Sequence, residues 1–363
     1  MKLNRLFMLG LAGLAFAACS SDDEATSALD GDAVVRVNIV TAGSTRAVDT
    51  PVEGVDGTEQ AVVVNSLKLV LTAEKGGATK DFTSIEAAKN CLFEGVRNPS
   101  KLEVFINGGK AENLTLAEVV ETGLAAPMYA AKTGAEFGTP VDEISNGKTV
   151  KTYKVTLNPQ HETALVEFSG IKHADHVADK TSCAFKTIQL DGIFMDNIQL
   201  AEGGARASYD SWTNAQAGAP TFDVIGEDFM TSGKVWPANT ADGKPQCYAY
   251  NMFPGTCASL VLAASNITAN DGFDALFSTG YARVARYKLY MENMNENWKT
   301  ELGANAEGYI TEFKAGYVYR IKDIAVPDKA WGPTPEGGED VNVLVVEVVV
   351  APWKLVSGTV EWN

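Results

Sequence analysis

Residues 34–40 read Val34-Val35-Arg36-Val37-Asn38-Ile39-Val40. Val35, Val37 and Ile39 alternate with Arg36 and Asn38, the two-residue period of a strand that turns one face to a core. The same kind of stretch recurs along the chain. Ala61 to Ala73 reads AVVVNSLKLVLTA, Leu102 to Asn107 is closed by Gly108-Gly109, and Lys151 to Leu157 and Ala164 to Phe168 flank Asn158-Pro159-Gln160. Phe185 to Leu200 reads as a strand pair or one long bent strand. Tyr248 to Met252 and Ala258 to Ala264 read as a hairpin across Phe253-Pro254-Gly255, and Arg283 to Met291 and Tyr317 to Val326 alternate again. Helical spacing is confined to Leu114 to Val120, and no alternation of strands with helices appears. The pattern predicts an all-β chain, mainly antiparallel, folded as two β-sandwiches with few short helices.

The 363 residues are 45% hydrophobic, enough for two ordinary cores, and a domain junction is expected near Asn158-Pro159. Thirty basic residues against forty-six acidic ones give a net charge of -16, a surface that repels phosphate backbones and anionic headgroups. Nucleic acid is therefore not an expected partner.

Upstream of the first strand, residues 1–19 read MKLNRLFMLGLAGLAFAAC. Lys2 and Arg5 precede an apolar run, Leu6 to Ala15, and small residues lead to Cys19, the layout of a secretory signal. The run is shorter than the ~20 residues of a spanning helix. A cysteine directly after small residues resembles the bacterial lipobox, which makes Cys19 the expected lipid acceptor. The polar residues 20–31 follow as a leader. Cys91, Cys183, Cys247 and Cys257 remain. Cys247 and Cys257 flank one turn and could pair, or all four could be buried thiols, and no spacing matches a zinc site.

Little in the chain suggests catalysis. His161, His173 and His176 are the three histidines. His173 and His176 lie near Asp175 and Asp179, but in a loop that spacing fixes no metal geometry. No nucleophile elbow, phosphate loop or paired carboxylates can be nominated. The expectation is a protein that is not an enzyme and has neither cofactor nor metal.

Two features stand apart. Arg46 sits alone in the small, polar run Thr41 to Pro51, where a trypsin-like protease could cut between Arg46 and Ala47; an uncut solvated loop fits equally. Near the C-terminus, Leu344, Val346, Val348 and Val350 share one strand face, with Val343, Val345 and Val349 around Glu347 on the other. Both faces are apolar, so the strand needs cover on both sides. Each buried side chain would contribute about 1.5–3 kcal/mol before entropy. Residues 327–340 ahead of it read as a Pro/Gly-rich acidic linker that would let it reach elsewhere, although an ordinary last strand is the simpler reading.

In their order these marks resemble the major fimbrilins of Bacteroidales, the subunits of type V pili. The resemblance rests on Cys19 with its acidic leader, Val34–Val40 running into Ser44-Thr45-Arg46-Ala47, and Leu102–Asn107 followed by Thr115-Leu116-Ala117-Glu118-Val119. It continues with Tyr317-Val318-Tyr319-Arg320-Ile321-Lys322 and the ending Val343 to Val350, Trp353 and Gly358-Thr359-Val360-Glu361-Trp362. The start of the second half, Gln160-His161-Glu162-Thr163-Ala164-Leu165-Val166, departs from the basic-rich opening of the family.

The resemblance implies transthyretin-like sandwiches and assembly by strand exchange. It implies a signal peptide over 1–19, a propeptide over 20–46, an N-terminal domain over 47–158 and a C-terminal domain over 159–363 with a donor strand in 341–363. Cys19 would carry the lipid (palmitate among its acyl chains) that holds the precursor at the outer membrane. An Arg-specific protease would cut after Arg46, and the strand carrying Val35, Val37 and Ile39 would be displaced. A donor strand carrying Leu344, Val346, Val348, Val350 and Trp353 would replace it. Partners would be other copies, head to tail, with anchor and tip subunits, in a cell-surface fimbrium for adhesion, the chain itself being a stalk subunit. A tip subunit is the near alternative. A glycan-binding surface lipoprotein with Trp212, Trp236 and Trp298 as a platform is the distant one.

Overall fold

A computed structural model describes residues 32–40, 64–116, 119, 125–145, 148–168, 170–174, 184–207, 222–228, 248–272, 277–284, 286–290, 299–321, 324–335 and 344–352. The first strands are Ala33–Ile39 (β1), Leu67–Lys75 (β2), Ala78–Phe82 (β3), Cys91–Ile106 (β4), Met128–Thr133 (β5), Val141–Ser145 (β6), Lys148–Leu157 (β7) and Gln160–His161 (β8). They join in one eight-stranded sheet with the order β3-β2-β4-β1-β7-β6, β5 pairing with β4 and β8. The alternation seen in sequence sets the faces: in β2, Leu67, Leu69 and Leu71 are buried while Lys68 is exposed.

β4 serves both halves of this sheet. Its start, Cys91 to Val96, pairs with β1, and its remainder, Arg97 to Ile106, pairs with β2. The change comes at a bulge where Gly95 takes φ 63°, a conformation that costs a β-carbon residue strain. Opposite it, Gly76 (φ 75°) passes so close that a Cβ there would lie 2.5 Å from the Gly95 carbonyl oxygen. Both halves of the sheet line one core of Val35, Val37, Ile39, Leu69, Phe93, Val104, Val155 and their neighbours.

The later strands are Ala164–Phe168 (β9), Ile171–His173 (β10), Phe185–Asp196 (β11), Ile198–Gln199 (β12), Arg206–Ala207 (β13), Phe222–Asp228 (β14), Tyr248–Met252 (β15), Gly255–Thr256 (β16) and Ser259–Ala269 (β17). They continue with Gly280–Arg283 (β18), Arg286–Leu289 (β19), Tyr309–Ile310 (β20), Glu312–Phe313 (β21), Tyr317–Ile321 (β22), Ile324–Val326 (β23), Trp331–Gly332 (β24) and Val345–Pro352 (β25). A six-stranded sheet, β15-β9-β22-β25-β19-β20, and a five-stranded one, β14-β11-β17-β18-β24, contribute to a second core. The cores meet: Leu165 and Val318 belong to the first, while Ala111, Leu116 and Val119 belong to the second.

The chain is all-β, as its periodicity indicates, but several local expectations change. Antiparallel pairing predominates as expected, with four parallel pairs among the described residues, β1 with β7, β9 with β22, β10 with β23 and β19 with β25. Tyr248–Met252 and Ala258 to Ala264 form no hairpin: β15 pairs with β9, β16 between them pairs with β21, and β17 pairs with β11 and β18 in the other sheet. Arg283 to Met291 is broken into β18 and β19, and Tyr317 to Val326 into β22 and β23. Around Leu114 to Val120, a 3-10 turn over Ala111–Asn113 precedes one helical bond, Val119 N–H to Thr115 O (3.1 Å); residues 117, 118 and 120 lie outside the described residues. So do Ala61, Val62 and Val63 of the second expected strand.

Residues 327–335 are not a loose linker. Trp331 is buried and β24 pairs with β18. Asp328 accepts from the Ala184 amide and lies 2.8 Å from His173 Nε2, and Arg283 Nε donates to Pro335 O (2.9 Å). Composition marks such a run as turn-forming, but backbone and side-chain groups distant in sequence pin it; residues 336–340 of the expected linker lie outside the described residues.

Candidate strand-exchange site

β1 lies inside its sheet, not at an edge. Arg36, Val37 and Val35 pair antiparallel with Leu92, Cys91 and Phe93 of β4. On its other side six residues, Val34 to Ile39, pair parallel with Thr152 to Leu157 of β7. Val35, Val37 and Ile39 are at most 1% exposed, and the Val40 amide closes the strand on Leu157 O (2.8 Å). Taking β1 away would leave two rows of unpaired backbone groups around a cut-open core.

Charges fix both the start and the outer face of this strand. Asp32, directly ahead of β1, has its side chain 2% exposed, with Lys75 Nζ 2.7 Å away and Arg97 Nη2 2.9 Å away. Lys75 and Arg97 pair across the β2–β4 ladder just past the Gly95 bulge. The hydrogen bond from Lys75, joined by that from Arg97, holds the Asp32 carboxyl below the usual range. On the outer face Glu143 of β6 bridges Arg36 (3.2 Å) and Lys154 of β7 (2.8 Å), its pKa lowered first by the Lys154 hydrogen bond. None of these partners is signalled in the sequence, because each lies dozens of residues from the strand it holds.

β25 has neighbours of the same kind. It runs antiparallel to β22, from Tyr317 opposite Pro352 to Ile321 opposite Val348, and parallel to β19, from Arg286 opposite Val345 to Leu289 opposite Val348. Tyr290 N–H adds a bond to Val348 O (2.8 Å). Leu344, Val346, Val348 and Val350 are at most 3% exposed in the second core. The other face is not covered throughout, for Val345 is 40% exposed and Glu347 is exposed too. Across the same sheet Glu167 of β9 and Arg320 of β22 form a buried pair (3.0 Å), and burial raises the Glu167 pKa despite its partner.

The structure therefore places Val35, Val37 and Ile39 in one core and Leu344, Val346, Val348 and Val350 in the other, without bringing the sets together. Cys19, Arg46, Ala47 and Trp353 lie outside the described residues, as do Trp212, Trp236, Trp298, Cys183, Cys247, Asp175, His176 and Asp179. Cys257 carries a free thiol whose Sγ lies 3.6 Å from Ile310 O, and burial pushes its pKa up to about 12. No group of three or more possible metal ligands occurs among the described residues.

No family model matches the chain. Similar solved structures come from fimbrial and adhesion proteins. A fimbrilin from Porphyromonas gingivalis is 16% identical, with 90% of this chain and 99% of that one covered at a TM-score of 0.49. A protein assigned to cell adhesion from Bacteroides eggerthii is 14% identical, with coverage of 89% and 96% and a TM-score of 0.49. A tip fimbrial protein of Porphyromonas gingivalis, truncated at its C-terminus, is 11% identical, with coverage of 89% and 100% and a TM-score of 0.36.

Proposed function

We propose that this chain is a structural subunit of a cell-surface fimbria, in the stalk, assembled by donor-strand exchange. It is exported as a lipoprotein precursor, held at the outer membrane by lipid on Cys19, and cut after Arg46 by an Arg-specific protease. The cut separates residues 1–46, β1 among them, from Ala47 onward. The C-terminal segment 341–363 of a second copy then enters between β4 and β7. What carries the reading is the place of β1: a strand from the N-terminal end of the chain fills the interior of a sheet, so its loss leaves a slot that only another strand can fill. Such a contact joins head to tail without closing on itself, and so builds a filament. The segment 341–363 suits a stalk subunit, which must give a strand as well as take one.

β25 already has two strand neighbours and a core of its own. Donating it would trade one mixed parallel and antiparallel place for another, nearly neutral in pairing and slow because bonds break before they form. A second candidate for the donated strand is the run of eleven residues after Pro352, which lie outside the described residues. Val356, Val360 and Trp362 alternate there with Ser357, Thr359 and Glu361, the pattern of a half-buried strand.

The test is to treat purified precursor with a trypsin-like protease and run it unboiled on a denaturing gel. A ladder of oligomers that is lost in Arg46→Ala and on deletion of 343–363 is expected; monomer in every lane would sink the reading. Deleting 353–363 alone, or locking β25 with a disulfide between Ile321→Cys and Val348→Cys, tells which part of the segment moves.

A further inference from the structure

The slot for β1 has a charged mouth as well as an apolar floor. Its floor takes Ala33, Val35, Val37 and Ile39 in alternation, and its mouth takes the residue directly before them. That residue is Asp32, its side chain covered between Lys75 and Arg97, two half-exposed cations that pair with each other across the β2–β4 ladder. A strand entering in the same direction can use the mouth only if it presents an acid one place ahead of its first inward side chain.

The C-terminal segment, entering with its even-numbered face inward, cannot. With the odd-numbered face inward Asp340 would stand at the mouth ahead of Val341, Val343 and Val345, but Glu347 would then occupy the buried floor position of Ile39. With Val346, Val348 and Val350 inward, the residue at the mouth is odd-numbered, and Val341, Val343 and Val345 are all valines. Glu347 arrives there only if Pro352 and Lys354 are driven into the floor. With Val356, Val360 and Trp362 inward, the mouth receives Leu355, Ser357 or Thr359. Glu361 reaches it only when Trp362 is the single residue inside.

Resting on the proposed strand exchange, we propose that Lys75 and Arg97 form a carboxylate socket selective for Asp32, which keeps the cut leader docked as a separate peptide. The nicked subunit is then a capped intermediate and not an open groove. The incoming strand displaces the leader without inheriting its ion pairs, so the socket delays exchange at wrong times and places without adding to the strength of the finished junction. Arg36 on Glu143 adds a second polar hold, farther along the strand.

The experiment follows the leader peptide after the whole precursor is nicked at Arg46, by native mass spectrometry and size exclusion, with release timed in urea below the unfolding midpoint. Wild-type leader is expected to co-elute with the body. Asp32→Asn, and separately Lys75→Met with Arg97→Met, should release it several-fold faster. Asp32→Glu should restore part of the retention, and Glu86→Gln, which removes an exposed pair elsewhere, should change nothing. If a variant fails to fold, raising the salt around the nicked wild type should speed release likewise. Prompt loss of the wild-type leader, or equal rates in wild type and Asp32→Asn, overturns the proposal. A synthetic 341–363 peptide added to nicked protein separates the two ideas. If it never enters while leader rates differ as stated, strand exchange fails and the socket stands.

Discussion

Val37→Ala offers a sharp test, because its effect should depend on whether the chain has been processed. Val37 is fully buried in the middle of β1, paired with Cys91 on one side and Val155 on the other. Shortening it removes two carbon groups from the first core, about 1.6 kcal/mol from transfer alone. Unfilled space raises the cost towards about 2.5 kcal/mol. For a domain of roughly 110–130 residues, a loss of about 2 kcal/mol lowers the melting point by about 6–12 °C. Calorimetry on uncut precursor should show that fall in the first transition to unfold. In filaments assembled after cleavage at Arg46, β1 is no longer present, so wild type and Val37→Ala should melt together. Val155→Ala, on the wall that stays, should weaken both forms. A filament weakened by Val37→Ala as much as the precursor would refute the displacement of β1.

Three further outcomes follow from buried polar groups. Burial lowers the His161 pKa to about 3, against an ordinary value near 6.5, so the unfolded chain binds the extra proton between those values. This stability is fully present above pH 6.5 and lost as pH falls towards 3, by up to about 1.4 kcal/mol per unit; in urea titrations from pH 7 to 5, His161→Gln should flatten the slope, and an unchanged slope refutes the assignment. Arg320→Met strands the Glu167 carboxylate in a buried place and should cost about 3–5 kcal/mol in denaturant midpoint measurements, with Glu167→Gln added to it recovering part. In a variant keeping Cys257 as its one cysteine, thiol labelling at pH 8 should be slow in the native state and complete in urea, since so little thiolate exists with a pKa of about 12.

Much of what alternation could reveal was legible. Val35, Val37 and Ile39 point inward as their spacing requires, and Val346, Val348 and Val350 do the same, because side chains on a strand change face at each residue. Phe185 to Leu200 is one long strand followed by a short one. Pairing was not legible. Tyr248–Met252 and Ser259–Ala269 stand on either side of a turn and still join different sheets, since a turn brings chain ends near each other without choosing their partners. The run 327–335 reads as a linker until Ala184, His173 and Arg283 are seen holding it.

By itself, the order of residues determined the strand-rich class, the net negative charge and a lone Arg46 after the first strand, and it set the expectation of a signal segment ending at Cys19; these follow from local chemistry and need no partner. Only the tertiary structure decided that β1 is an interior strand between β4 and β7, that Asp32 is gripped by Lys75 and Arg97, and that β25 is built into its own sheet. Those facts depend on contacts between residues far apart in the chain. Such contacts are set by how whole sheets share their cores, and no short window of sequence contains them.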